Sequence, residues 1–177
     1  MEPRLELKYL RLEKSRNRLL DELEGFDDEL LNMPAADGKW SINQIICHLI
    51  HVDSATASSI QYRITNQATL VPSTFKNSFK SALLKVALKS GKKFKAPDVV
   101  ANVPESSSFS KLRHQWDEVR FKLEDVLTDI PESLMDKCLF KHPYVGPLNV
   151  SQTLSFLQDH FDHHLPQIHK LKVKLVK

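Results

Sequence analysis

Residues 149–171 read "NVSQTLSFLQDHFDHHLPQIHKL", and the fold turns on how this stretch is taken. Asn149 followed by Gln152 has the spacing of a capping box, in which two side chains satisfy free backbone N–H groups at a helix start. Leu154, Leu157, Phe161, Leu165, Ile168 and Leu171 then recur three and four residues apart, an apolar stripe that runs on toward Lys174. The stretch predicts a long amphipathic helix that closes the chain. Pro166 has no N–H for the carbonyl of Asp162, and its ring crowds that carbonyl, so a kink is expected there.

The same helix holds four of the chain's eight histidines. His160 and His164 are four residues apart and share one face. Leu157, Gln167 and Leu171 lie on that face too, which turns both imidazoles inward. His163 falls about 100° from His164 and reads as exposed. His169 falls between the two faces.

Upstream, three further helices are expected. The first spans about 4–24, with Leu5, Leu12, Leu19 and Leu23 as its stripe and Gly25 as its stop. "DDELLNMP" adds one turn before Pro34. The second opens at "KWSINQIICHLIHVD", where Ser41 and Gln44 form another capping box, and runs to about Thr65. The third covers about 108–129, from a serine-rich start to Pro131, with Leu112, Trp116, Val119 or the stem of Arg120, Leu123 and Leu127 inward. Residues 66–106 form a long connection, within which "FKNSFKSALLKVALKSGKKFK" suits a short amphipathic helix over about 76–89, ended by Gly91. Four helices with one long crossover make an all-α four-helix bundle, one domain over residues 1–177.

On the second helix, Ile45, His48, Val52 and Ala55 share a face, and His51 sits about 60° off it. A bundle can bring His48 against His160 and His164. Three neutral imidazoles meeting in this way make a facial metal site with open positions. Spacing alone leaves a second reading open, a polar seam between two helices satisfied by water.

Two stretches narrow the choice. "GKWSINQIICHLIHVD" and "HPYVGPLNVSQTLSFLQDHFDHHLPQIHKL" resemble the DinB/YfiT-like superfamily of small metal-dependent bundles. The similar pieces are a Trp-Ser helix start followed by His-Leu, a His-Pro-x-x-Gly-Pro-Leu loop and a last helix reading H-x-x-x-H-x-x-Q-I. The resemblance implies an up-down-down-up bundle in which His48, His160 and His164 hold a divalent ion, zinc or nickel first, with manganese also permitted. It further implies hydrolysis or low-molecular-weight-thiol transfer on a small molecule that is anionic or bears a thiol. A non-catalytic metal-binding bundle, serving stress response or interaction, is the alternative. Related bundles pair, so a homodimer is also expected.

Around those ligands the sequence offers Gln167, and after it His51, to support an imidazole or a substrate. No carboxylate base falls on the site face: Asp53, Asp159 and Asp162 all point well away and read as solvent-facing. Cys47 adjoins His48 but points about 100° from it, and core packing is the expected role. His142 reads as a residue that shapes the loop before the last helix, not as a ligand.

Composition agrees. Only four glycines against 41% apolar residues among 177 favours helices. Two cysteines without a CxxC pair suit a reducing cytoplasm, and the charged N-terminus has no signal-peptide character. The net charge of +3 hides an asymmetry: between Ser54 and Pro97 there are seven lysines, Arg63 and no acid. That segment reads as a solvated or self-paired face, with the acidic third helix as an available partner. The other possibility is a positively charged lid favouring an anionic substrate. Neither nucleic acid nor membrane is expected as a partner.

Overall fold

The computed structural model describes residues 1–34, 36, 38–67, 70–89 and 98–175. Its elements in chain order are α1 (Pro3–Leu23), α2 (Asp28–Leu31), α3 (Ile42–Thr65), α4 (Phe75–Lys89), α5 (Asp98–Ala101), α6 (Phe109–Thr128), β1 (Cys138–His142), β2 (Gly146–Asn149) and α7 (Val150–Leu175). The four long helices α1, α3, α6 and α7 are those expected. The helix stop assigned to Gly91 lies outside the described residues.

Local chemistry sets the helix ends. Pro3 occupies the first turn of α1, and the Glu2 carboxylate accepts from Leu5 N at 3.1 Å. Gly25 follows the helix with φ 83, a backbone angle that glycine adopts without strain. Both capping boxes close: Ser41 Oγ accepts from Gln44 N at 3.2 Å while Gln44 Oε1 accepts from Ser41 N at 3.0 Å. Asn149 and Gln152 make the same exchange at 2.9 and 3.0 Å. The start of α6 is capped differently from the serine-rich reading. Phe109 N donates to Asp28 Oδ1 of α2 at 2.7 Å, so the short turn α2 serves as a cap supplied from elsewhere in the chain.

Cross-helix contacts give the topology. Lys8 donates to Ser151 and Ser155, Gln158 to Ser15, and His169 meets Glu22, so α1 and α7 run parallel. Asn43 meets Ser107, Asp53 meets Trp116, and Ser58 meets Lys122, so α3 and α6 also run parallel. Tyr9 pairs with Arg120 and Glu124, whereas Arg113 pairs with Glu24, so α1 and α6 are antiparallel. The order is up-down-down-up, with the long connection joining the two parallel inner helices.

The apolar core falls into two clusters. One gathers Leu12, Ile60, Leu123, Leu127, Leu154 and Leu157. The other gathers Leu19, Leu23, Ile46, Leu112, Trp116 and Phe161. Between them along α1, α3 and α6 lies a charged layer. Arg120, 2% exposed, bonds Asp53 at 3.0 Å and faces Glu13 at 3.4 Å. Arg16 bonds Glu13 and Asp117, each at 3.0 Å.

A two-stranded sheet replaces the expected loop before α7. β1 pairs antiparallel with β2, Phe140 opposite Leu148 and His142 opposite Gly146, whose φ is 83. Strands of five and four residues are too short to show a period in sequence, and Pro147 within β2 masks one of them. α4 lies along α7, with Leu84 and Leu88 buried and Asn77 Nδ2 bonded to Pro147 O at 2.8 Å. α7 is continuous through Pro166.

Candidate metal centre

His48 enters the bundle on the second turn of α3, just past the capping box that fixes the helix phase. It is 3% exposed. Its Nδ1 lies 2.8 Å from Val100 O of α5. A carbonyl only accepts, so Nδ1 carries the proton and Nε2 keeps a free lone pair. That lone pair faces His160 Nε2 at 3.3 Å, and His160 Nε2 lies 3.2 Å from His164 Nε2. One possible ligand atom from each of the three residues lies within 4.8 Å of the others.

These residues fit a metal. With Zn–N bonds of 2.0–2.1 Å, nitrogens on a tetrahedral ion stand about 3.3 Å apart. The two Nε2 separations match that spacing with no side-chain movement, so the group could hold a divalent ion. The imidazoles are neutral, as ligands must be. Burial pushes His160 well below its usual range, and the neighbouring His164 and His48 push it further. Burial likewise takes His164 to about 3 and lowers His48 against its bond to Val100.

A chain of hydrogen bonds orients His164 from outside. Leu88 O of α4 lies 2.9 Å from His163 Nδ1, which therefore donates. His163 Nε2 is then an acceptor, facing Gln167 Nε2 at 3.4 Å. That turns Gln167 Oε1 toward His164 Nδ1 at 3.3 Å, and His164 presents its bare Nε2 to the centre. Gln167 thus lies against His164 Nδ1, where it would support that imidazole. His163 does not match its reading as exposed: it is half-buried beneath α4 and sets the relay. Sequence spacing places a residue on its own helix, and nothing in the stretch signals that α4 will cover that side.

Aromatic rings wall the centre. Trp40 packs on His48 with ring centroids 5.0 Å apart, and Phe156 on His160 at 5.6 Å. His142 packs edge-on against Phe156 at 4.5 Å. Its Nδ1 accepts from Tyr144 N at 3.2 Å and Val145 N at 3.4 Å, which closes the hairpin. Burial takes it to about 4. It shapes this segment as expected, but from the end of β1.

Other expectations need correction. Asp53 is 5% exposed, not solvent-facing; it accepts from Trp116 Nε1 at 2.7 Å and pairs with Arg120. Asp159 is 8% exposed and faces Lys85 at 3.7 Å. Asp162 is half-buried and accepts from Gln158 at 2.8 Å. Each points away from the centre, but α6, α4 or α1 packs on that side where the wheel alone shows solvent. His51 Nε2 meets Cys47 Sγ at 3.6 Å in place of a ligand imidazole. The two line a cavity of about 600 Å³ with Ser107, Ser108 and Lys111, and the three clustered histidines are not in its lining. Cys47 is 5% exposed, burial raises its thiol above the usual range, and it packs in the core as expected. In the basic segment Lys85 meets Asp159 of α7, while the side chains of Lys89, Lys92, Lys93 and Lys95, on which the expected pairing with the acidic third helix also rests, lie outside the described residues. Lys122 of that helix donates to Ser58 of α3 at 3.1 Å.

The family model of the DinB superfamily matches residues 11–168. The chain is also 26% identical over 162 residues to "Uncharacterized protein YuaE" of Bacillus subtilis (strain 168), spanning 92% of this chain and 95% of that one.

Proposed function

The chain belongs to the DinB superfamily, and from that premise we propose that it is a metal-dependent enzyme acting on a small molecule. His48, His160 and His164 hold one divalent ion, with zinc or nickel first and manganese next. The observation that carries this reading is the convergence of three imidazoles, with His160 Nε2 3.3 Å from His48 Nε2 and 3.2 Å from His164 Nε2, and the other nitrogens of His48 and His164 tied to Val100 and Gln167. Bound there, the ion supplies a Lewis-acid position whose charge no carboxylate ligand offsets.

The residues around that position define what they favour. Neutral imidazoles bring no negative charge, so the centre suits an anionic group or a small thiol. Trp40 and Phe156 exclude water from the flanks of His48 and His160. Gln167 and His163 hold His164 in one tautomer. The two reactions that suit these features are hydrolysis and low-molecular-weight-thiol S-transfer.

One observation favours a second reading, a non-catalytic metal-binding bundle in stress response or interaction. Asp53 and Asp159 are engaged with Arg120 and Lys85, which leaves neither free to serve as a general base. Elemental analysis of protein purified without a metal-affinity tag, beside His160→Ala, tests the metal. Screens of the loaded protein for thiol conjugation, then ester and amide hydrolysis, separate the two readings. Turnover lost in His160→Ala supports the enzyme; bound metal with no turnover in any screen supports the second reading.

A further inference from the structure

We infer that α4 is a docking element for an anionic lipid surface. The helix has two apolar faces and only one is used. Leu84 and Leu88 are buried against the bundle, at 6% exposure each. Phe75, Phe79, Leu83 and Val86 are 89%, 65%, 59% and 64% exposed. At about 100° per residue, these four fall within an arc of about 80° centred opposite Leu84 and Leu88. The arc is therefore the outermost ridge of the helix, turned straight away from the bundle.

Charge surrounds this ridge with one sign. Lys76 and Lys80 follow one edge of the arc and Lys85 the other, and no acid occurs anywhere from Ser54 to Pro97. An apolar ridge with lysines at its borders is the arrangement of a helix lying in a membrane interface. The rings enter the acyl boundary while the ammonium groups reach up to lipid phosphates. Sequence alone sets this segment down as solvated or self-paired because it cannot show which of the two apolar faces the bundle takes. No described helix is long and apolar enough to cross a membrane, so the contact is in-plane.

The same features argue against other occupants. Two copies of the ridge packed together would bring Lys76, Lys80 and Lys85 against their own images, a like-charge juxtaposition. The hydrogen bonds of α4 to Pro147 and Gln152, and the ion pair of Lys85 with Asp159, hold the helix on α7 with the ridge outward.

Co-sedimentation of the full chain with vesicles tests the inference. Neutral phosphatidylcholine vesicles are compared with phosphatidylcholine and phosphatidylglycerol mixed two to one, at low and high salt. Binding to the anionic vesicles at least about tenfold above neutral is expected, falling as salt rises. Phe79→Ser, on a residue exposed enough to leave the fold intact by circular dichroism, should weaken it about tenfold. Lys76→Glu with Lys80→Glu should abolish the preference for anionic vesicles. No preference in the parent chain, or equal binding by Phe79→Ser, would overturn the inference. So would a concentration-dependent doubling of mass that Phe79→Ser removes, which would assign the ridge to a second copy.

Discussion

Two buried polar clusters stand about one and a half turns apart on α3, and they solve burial in opposite ways. Around Asp53 the bundle buries charge and pairs it: Arg120 meets Asp53 and Glu13, Arg16 meets Glu13 and Asp117, and Trp116 adds a hydrogen bond. Around His48 it buries neutral rings and turns the Nε2 lone pairs of His48 and His164 toward His160 Nε2. The first cluster is charge-paired within the chain, although Glu13 Oε1, Arg16 Nη1 and Arg120 Nη1 meet their partners as ion pairs without hydrogen-bond geometry. The bare Nε2 atoms of His48 and His164 are complete only when a cation or a proton lies between them and His160 Nε2. Burial of polar groups is common to both, so burial does not mark a functional site. The mark is a set of acceptors aimed at one point.

The cost of burial is visible even in the charge-paired cluster. Desolvation raises the Glu13 carboxyl above its usual range although Arg120 and Arg16 both oppose the shift. Such pairs are sensitive to losing a partner.

His160→Ala should break the contrast most completely. Elemental analysis should find about one divalent ion per parent chain and none in the variant, with the apo fold retained. An ion retained at full occupancy would remove His160 from the ligand set.

Arg120→Ala breaks the other side. It leaves Asp53 and Glu13 facing each other's layer without their shared cation, and about 3–5 kcal/mol of stability should be lost. Urea unfolding of the metal-free protein measures it. A loss below about 1 kcal/mol would mean that water reaches these carboxylates freely.

His142 sharpens the comparison, as a buried imidazole whose Nδ1 lone pair is already used by backbone donors. Its folded-state value of about 4 lies below the unfolded one near 6.5. Its stabilising effect is therefore fully present above about pH 6.5, falls as pH drops toward about 4, and changes no further below that. The difference amounts to roughly 3 kcal/mol. His142→Asn keeps an acceptor that does not titrate, so unfolding free energies of metal-free protein between those limits should slope less steeply than in the parent. Identical slopes would contradict this assignment.

Gln167→Ala should have the smallest effect. Removing a partner of a ligand imidazole typically weakens a metal about 10–100-fold. Competition with a chelator should register that loss, while one ion still binds at saturation. Affinity equal to the parent's would show that the relay from Leu88 through His163 does not orient His164.

The helical frame was legible because its signals are local. The Ser41–Gln44 and Asn149–Gln152 boxes, the stop at Gly25 and the three- and four-residue stripes act within one or two turns, and each reappears in the structure. The convergence of His48, His160 and His164 was legible for a related reason. Helix phase puts each imidazole inward, and the resemblance of two stretches to a known family pairs α3 with α7. The β1–β2 hairpin was not legible, since strands this short carry no period.

By itself, then, the sequence determined which segments are helical, where they start and which imidazoles turn inward, because these depend on neighbours a few residues away. Tertiary structure alone decided what lies on the far side of each helix. It closed Asp53 under α6, seated His163 and Asp159 beneath α4, and left the ridge of Phe75, Phe79, Leu83 and Val86 outside. Those outcomes rest on contacts between residues tens of positions apart, and an amphipathic pattern specifies a face without specifying what will cover it.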